Sequence, residues 1–254
     1  MRLASTLNAL LPRALQPVPW AAARYVRRSG LVVQSGPFHG MRYIGRAHCS
    51  TLPPKLAGTY EQELHSYLPR LFANRPDVFV DVGAAEGYYA VGALVAGWVG
   101  RIVAFEADRA AMASCCELRS TNGIDSAQLD IRGACTPAEL QSVLAAAERP
   151  AIMMDVEGFE AFLLDPLRVP DLARCPILLE YHDFVLPGLS QEISRRFAST
   201  HAITMIHQAR RRAEDLVTDD PLLRLLPRAI RRRVLDESRP FTRHGWMWMQ
   251  PRDQ

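Results

Sequence analysis

The first 60 residues of the sequence contain no aspartate and no glutamate. This stretch carries seven arginines and Lys55, and the first acidic residue of the chain is Glu61. Because the whole chain has 30 basic and 27 acidic residues, 22 basic side chains remain after residue 60 to face all 27 acidic ones. The net charge of +3 therefore belongs to the amino-terminal segment, and it does not predict a nucleic-acid partner for the rest of the protein.

Long apolar runs and paired cysteines are also missing. No apolar run approaches the roughly 20 residues that span a bilayer, so no transmembrane segment is predicted. The five cysteines form no Cys-x-x-Cys pair, which argues against a disulfide framework and a zinc ribbon and favours reduced thiols in a cytoplasmic protein. With 254 residues, 48% of them hydrophobic and 22% charged, the chain has the composition of an ordinary globular protein.

Residues 1–58 are predicted to form a basic arm followed by a β-hairpin. The hairpin would pair residues 31–34 with residues 41–44 across the turn-forming Ser35-Gly36-Pro37. The arm is interpreted as a surface extension of the domain. Arginine-rich, acid-poor segments are also typical of transit peptides and of peripheral contacts with a membrane, and both alternatives stay open.

Residues 59–254 are predicted to form one α/β domain, with a first helix at 59–75, a core at 77–209 and a closing segment at 210–254. Strand-like and helix-like segments alternate through the core, which is typical of a doubly wound, mostly parallel, Rossmann-like sheet. Seven strands are expected, at residues 78–82, 101–105, 128–135, 151–156, 177–181, 202–207 and 246–249. Ligands of such sheets bind at the carboxyl ends of the strands.

The turn after the first predicted strand reads Asp81-Val-Gly83-Ala-Ala85-Glu-Gly87. Its glycines allow a close backbone approach, and the helix that follows offers unpaired N–H groups to an anionic ligand. Ala85 stands where the dinucleotide fingerprint has its second glycine, which disfavours NAD and FAD. Glu106 follows the second strand and is placed for ribose hydroxyls, while Asp81 suits an ammonium group. The pattern favours a nucleoside that carries an amino acid.

With these residues and with Asp155-Val156-Glu157-Gly158 after the fourth strand, the chain resembles the class I S-adenosylmethionine-dependent methyltransferases, and more narrowly the FkbM-type family. The resemblance covers about residues 59 to 209. It implies S-adenosyl-L-methionine as the cofactor. Ten residues are then expected to bind it, namely Asp81, Gly83, Ala84, Glu86, Gly87, Tyr88, Glu106, Ala107, Ala134 and Asp155. The third strand has Arg132-Gly133-Ala134 where many class I members have an acid followed by alanine, so backbone contacts are expected to hold the adenine.

The resemblance further implies methyl transfer to a hydroxyl of a small molecule or a sugar, although nitrogen acceptors stay open. Proton removal from an alcohol needs a base or a metal near the fourth and fifth strand ends. His182, with a pKa near neutrality, is the expected general base, together with Asp155 and Glu180; an ordinary polar role for His182 stays open. Glu157 and Glu160 lie in the same region; Glu157 could equally cap the amino terminus of the following helix, and Glu160 has no assigned role.

A metal is not favoured from the sequence, but Mg²⁺ bound by Asp155 with Glu180 or Asp183 is the alternative, because Mg²⁺ prefers carboxylate oxygens. A homodimer also stays open. The competing functional hypothesis is a non-catalytic Rossmann-like binding or scaffold protein, whose basic arm would engage a membrane or a protein partner.

Overall fold

The computed structural model describes residues 16–237 and 244–252. The described residues divide into two compact units: residues 16–62 with 210–237, and residues 63–209 with 244–252. Residues 210–237, which the sequence assigned to the closing segment of the α/β domain, thus group with the amino-terminal residues. The predicted domain limits themselves stay a prediction.

Helices and strands alternate through most of the described chain. The helices are α1 Pro17–Arg28, α2 Leu52–Ala57, α3 Leu68–Leu71, α4 Tyr88–Val95, α5 Arg109–Thr121, α6 Pro137–Ala145, α7 Glu160–Leu163, α8 Leu189–Phe197, α9 Pro221–Leu225 and α10 Arg228–Val234. The strands are β1 Val78–Val82, β2 Ile102–Phe105, β3 Leu129–Arg132, β4 Pro150–Met154, β5 Ile177–His182, β6 His201–Ile206 and β7 His244–Pro251.

All seven strands belong to one sheet in the second unit, in the order β3-β2-β1-β4-β5-β7-β6. The pairs from β3 to β5 are parallel, and β7 runs antiparallel to both of its neighbours. The predicted α/β fold with a mostly parallel seven-stranded sheet is confirmed. Because the chain order reverses between β1 and β4, a crevice is expected beyond the carboxyl ends of these two strands.

The central strands are buried along their whole length, as a sheet covered on both faces requires. Every residue of β1, β4 and β5 is buried, and the core under one face includes Val80, Phe105 and Met154. Asp81 is the one charged residue within β1. Burial of a carboxylate in such a strand costs free energy unless a hydrogen bond or an opposite charge offsets it, because burial disfavours the charged form.

Two predicted elements are wrong in detail. The helix expected over residues 59–75 is instead a 3₁₀ turn at Gln62–Leu64 and the single turn α3. Pro69 has no N–H to donate to the residue four positions earlier, so a continuous helix cannot run through it. The expected hairpin reduces to one antiparallel bridge, between Val32 and Arg42. Positive φ angles at Leu31, Gly36 and Gly40 interrupt the extended backbone there.

In the first unit, α1 packs through buried Ala21 and Tyr25. Arg24 and Arg28 from this helix form ion pairs of 2.8 and 3.0 Å with Asp220, whose carboxylate also accepts the N–H of Leu222 at the start of α9. Among the described helices, none combines the length and apolar character that crossing a bilayer demands.

Candidate functional site

Asp81 is a buried carboxylate at the end of the central strand β1. Its side chain is 3% exposed, and within the described residues its Oδ2 atom has no hydrogen-bond partner. Burial, reinforced by the negative charges of Asp155 and Glu106, raises the pKa of Asp81 to about 7, against the opposing effect of a hydrogen bond from the Ala90 N–H in α4. An acceptor atom is thus held ready for a cationic or hydrogen-bonding group.

The two glycines of the turn are required by packing within the protein. Gly83 has a φ of +85°, and a Cβ there would lie 1.7 Å from the carbonyl oxygen of Asp155. Gly87 has a φ of +90°, and its Cβ would lie 2.7 Å from the Sγ atom of Cys115. The 1.7 Å contact with a backbone atom excludes a side chain at position 83, and the positive φ angle makes a side chain strained at either position. The turn after β1 can therefore pass directly against the segment after β4, and the part of the glycines in cofactor binding stays a prediction.

Glu106 fastens the turn after β1 to the end of β2. Its Oε2 atom accepts the N–H of Ala85 at 2.7 Å, and its Oε1 atom accepts the N–H of Asp108 at 2.7 Å. Each carboxylate oxygen has a second lone pair. Glu106 is therefore fixed at the sheet edge by backbone bonds and retains acceptor capacity for a hydroxyl.

The remaining predicted cofactor residues differ in accessibility. Ala84, Glu86 and Tyr88 are buried, Glu86 completely. Ala107 and Ala134 are exposed in the loops after β2 and β3. Ala107 and Ala134 are thus accessible to a ligand, whereas the completely buried Glu86 is better placed to support the turn.

A second polar group lies at the ends of β4 and β5. Asp155 follows β4, while Glu180 and His182 share one side of β5 because side chains alternate along a strand. The His182 Nδ1 atom lies 2.7 Å from Oε1 of Glu160, the first residue of α7. The His182 Nε2 atom lies 3.5 Å from Asp155 Oδ1 and 3.9 Å from Glu180 Oε2. Three sequence-predicted residues thus meet here.

The imidazole of His182 is itself buried and surrounded by carboxylates. Burial lowers its pKa, but the hydrogen bond with Glu160 and the charges of Asp155, Glu160 and Glu157 outweigh burial, so the pKa is raised above its ordinary value. Glu160 is completely buried. It is the residue that sequence reasoning left without a role, and its signal was only its position five residues after Asp155.

Asp183 does not belong to this group. Its two carboxylate oxygens accept the backbone N–H of Ser190 at 2.8 Å and the Ser190 hydroxyl at 2.6 Å. The alternative set of metal ligands that included Asp183 is therefore wrong. Strand alternation points Asp183 away from Glu180, and both of its carboxylate oxygens are bonded to Ser190 at the start of α8. Ligand atoms of Asp155, Glu180 and His182 instead lie within 4.8 Å of one another.

Apolar side chains flank the second polar group. Five of them are between 41% and 52% exposed, namely Phe159, Phe162, Phe184, Val185 and Leu186. The Phe184 ring lies 5.6 Å from the His182 ring, and a Cβ on Gly158 would lie 2.7 Å from Val185. The loops after β4 and β5 therefore meet and place exposed apolar surface beside the histidine. Exposed apolar groups in one place are typical of binding surfaces.

Comparison with known proteins gives structural similarity at low sequence identity. No protein-family model matches the chain, and no curated protein matches it. Among solved structures, it is similar to the C-terminal domain of precorrin-6Y C5,15-methyltransferase from Rhodobacter capsulatus, with 17% identity, a TM-score of 0.46, and coverage of 72% of this chain and 85% of that one.

It is also similar to M. jannaschii TYW2 in complex with AdoMet, with 12% identity, a TM-score of 0.42, and coverage of 74% and 75% of the two chains. A third match is Sp1610 of Streptococcus pneumoniae, a candidate tRNA (m1A22) methyltransferase, with 15% identity and a TM-score of 0.42. That match covers 56% of this chain, which spans 64% of the length of the other, less than two thirds. At this level the similarity concerns the fold.

Proposed function

We propose that the protein is an S-adenosylmethionine-dependent methyltransferase of FkbM type. The observation that carries the proposal is the pair Asp81 and Glu106 at the ends of neighbouring strands, joined through the turn that leads into α4. A buried acceptor oxygen on Asp81 suits the ammonium group of an amino acid, and the fixed carboxylate of Glu106 suits ribose hydroxyls.

The residues fit the cofactor by their donor and acceptor chemistry. S-Adenosylmethionine supplies a methyl group on a cationic sulfur, and the carboxylates of Asp81, Glu106 and Asp155 at adjacent strand ends give this edge of the sheet a negative potential. The exposed loop at Gly133 and Ala134, where a Cβ on Gly133 would meet nothing within 4 Å, leaves room for the adenine.

The acceptor is proposed to be a small molecule or a sugar that presents a hydroxyl to His182, Asp155 and Glu180. The apolar side chains of the two flanking loops would hold the body of that molecule, since rings of sugars and aromatic compounds both present apolar faces. Alignment of the acceptor oxygen with the methyl group would then provide much of the rate enhancement. The cytoplasmic location and the homodimer stay predictions.

Calorimetric titration with S-adenosylmethionine and S-adenosylhomocysteine tests the cofactor assignment. We expect saturable 1:1 binding that Asp81→Asn and Glu106→Gln each weaken at least about tenfold, since each removes a charged hydrogen-bond acceptor. Glu148→Gln is the matched control, because Glu148 precedes β4 at the opposite edge of the sheet and its side chain is 80% exposed. Absence of saturable binding to the folded protein would contradict the proposal.

A screen of acceptors with a labelled methyl donor tests the reaction. Transfer of label to a hydroxyl compound is the expected result, and recovery of the label on nitrogen alone would contradict O-methylation. Binding of the cofactor without transfer to any acceptor would favour the non-catalytic binding protein.

A further inference from the structure

We propose that Asp155, Glu180 and His182 bind one divalent transition-metal ion, of the Mn²⁺ or Zn²⁺ class, and that Glu160 is the positioning residue for His182. The use of this ion in catalysis rests on the proposed methyl transfer, whereas binding of the ion does not. The site differs from the Mg²⁺ site considered from sequence in one ligand, with His182 in place of Asp183, and in the class of metal.

The two separations measured from His182 fit ligands that share an ion. The His182 Nε2 atom lies 3.5 Å from Asp155 Oδ1 and 3.9 Å from Glu180 Oε2. Two ligands placed tetrahedrally at about 2.1 Å from an ion are about 3.4 Å apart. A hydrogen bond would bring the atoms to about 2.7–3.2 Å. Asp155 Oδ1 is itself a buried atom for which no hydrogen-bond partner exists in the described part of the chain.

Glu160 fixes the direction in which His182 can bind. Its Oε1 atom lies 2.7 Å from Nδ1 of His182, so Nδ1 is the atom that carries the hydrogen and Nε2 is left to face Asp155 and Glu180. His182 is 4% exposed and Glu160 is fully buried. A carboxylate behind the far nitrogen of a ligating histidine is the usual arrangement in metal sites, because it sets the tautomer and raises the basicity of the ligand.

The donor atoms select the class of metal. Mg²⁺ is bound through oxygen and retains several water molecules, whereas imidazole nitrogen with carboxylate oxygen suits Mn²⁺, Fe²⁺ or Zn²⁺. Three protein ligands leave open positions on the ion, as in catalytic metal sites. An acceptor hydroxyl bound at an open position would lose its proton more readily, so His182 would act as a ligand in place of a general base.

Metal titration of the full-length protein, freed of metal by chelation and without S-adenosylmethionine, tests the site. We expect one Mn²⁺ or Zn²⁺ per chain by calorimetry and by elemental analysis. Glu180→Gln and His182→Gln should each weaken binding at least tenfold. Glu157→Gln is the matched control: Glu157 is an exposed carboxylate on the same loop as Asp155 and acts on His182 through its charge, so this variant should weaken binding far less than the ligand variants do.

Two further measurements separate ligation from folding. Circular dichroism and the thermal midpoint show whether each variant is folded, and in the unaltered protein labelled with ¹⁵N-histidine, Zn²⁺ should shift the resonance of one imidazole Nε2. Glu160→Ala should weaken binding roughly 10–100-fold, the usual effect of such a positioning carboxylate. Glu160→Gln, whose amide oxygen can still accept from Nδ1, should recover part of the loss.

Several results would overturn the site. These are the absence of stoichiometric binding, an equal loss in Glu157→Gln, no histidine shift with Zn²⁺, or Mg²⁺ binding as tight as that of Mn²⁺. Because the titration contains no methyl donor, failure here leaves the cofactor titrations described above intact, and failure there leaves this result intact.

Discussion

Asp81 shows how one residue links the stability of the sheet to the candidate site. Its pKa is raised from an ordinary value of 3.8 to about 7, first by burial and then by the charges of Asp155 and Glu106. The folded protein therefore holds the Asp81 proton more tightly than the unfolded chain does. The stability that this proton contributes is fully present below pH 3.8 and is lost as the pH rises through about 7.

Asp81→Asn removes this titration while keeping the shape of the side chain. We expect the free energy of unfolding of the unaltered protein, relative to that of the variant, to fall by roughly 2–4 kcal/mol between pH 4 and pH 8. Urea denaturation at intervals across this range measures the difference. A difference that stays constant with pH for Asp81→Asn would refute the raised pKa of the buried Asp81 carboxyl group.

Strand-end residues were predictable from sequence because their position follows from a local pattern. A polar residue near the end of a buried strand or directly after it identified Asp81, Glu106 and Asp155, and strand alternation placed Glu180 and His182 on the same side. The role of Glu160 was not predictable, because its contact is with His182, which is 22 positions later in the sequence, and depends on how α7 packs against β5. The need for glycine at position 83 arises from close contact with the Asp155 carbonyl oxygen. It was likewise not predictable, because it depends on tertiary packing.

At the scale of elements, the side chain of one arginine caps the carboxyl end of α6. The Arg174 Nη2 atom donates to the carbonyl oxygens of Leu144 at 2.6 Å and Ala147 at 3.0 Å, and its Nη1 atom donates to that of Glu148 at 2.9 Å. The last carbonyl groups of a helix have no partner within the helix. A cation at this end also interacts favourably with the helix dipole.

Arg174→Ala should therefore destabilise the second unit. We expect a loss of about 1.5–3 kcal/mol, the usual range for hydrogen bonds to a charged group, because several carbonyl groups lose one donor. Arg195→Ala is the matched control: Arg195 pairs with Glu192 at the surface of α8, and surface pairs contribute at most about 1 kcal/mol. Chemical denaturation compares the two, and equal losses would show that Arg174 acts only as a surface charge.

The elements themselves were predictable where periodicity and end signals agree. Thr136 and Glu139 form the capping box that begins α6, and α5 has the bounds expected from Arg109 to Thr121. The prediction of a helix over residues 59–75 was wrong, because four apolar residues at helical spacing do not outweigh a proline in the middle of the segment. The prediction of a hairpin over residues 31–44 was wrong, because strand pairing there depends on backbone angles that the apolar pattern does not specify.

At the scale of the whole chain, arginines of the acid-free amino-terminal segment form ion pairs with an acidic residue near the other end of the sequence. Asp220 forms ion pairs with Arg24 and Arg28, and it is also the N-cap residue of α9. The imbalance of charge along the sequence is therefore partly compensated within the first unit, and residues 17–28 are a packed helix of that unit.

A double-mutant cycle tests whether the Arg24–Asp220 pair holds α1 in place. Arg24 is 15% exposed and Asp220 is 1% exposed at the side chain. Removing Asp220 leaves Arg24 mostly buried without its counter-charge, and removing Arg24 leaves Asp220 with Arg28 alone. We expect Arg24→Met and Asp220→Asn each to lower the thermal midpoint, and the double variant to lose less than the sum of the two. Arg27, exposed on the same helix, supplies the control cycle, in which Arg27→Met and Asp220→Asn should add independently. Additive losses in the Arg24 cycle would mean that burial of Ala21 and Tyr25, and not the ion pair, fixes α1 in the first unit.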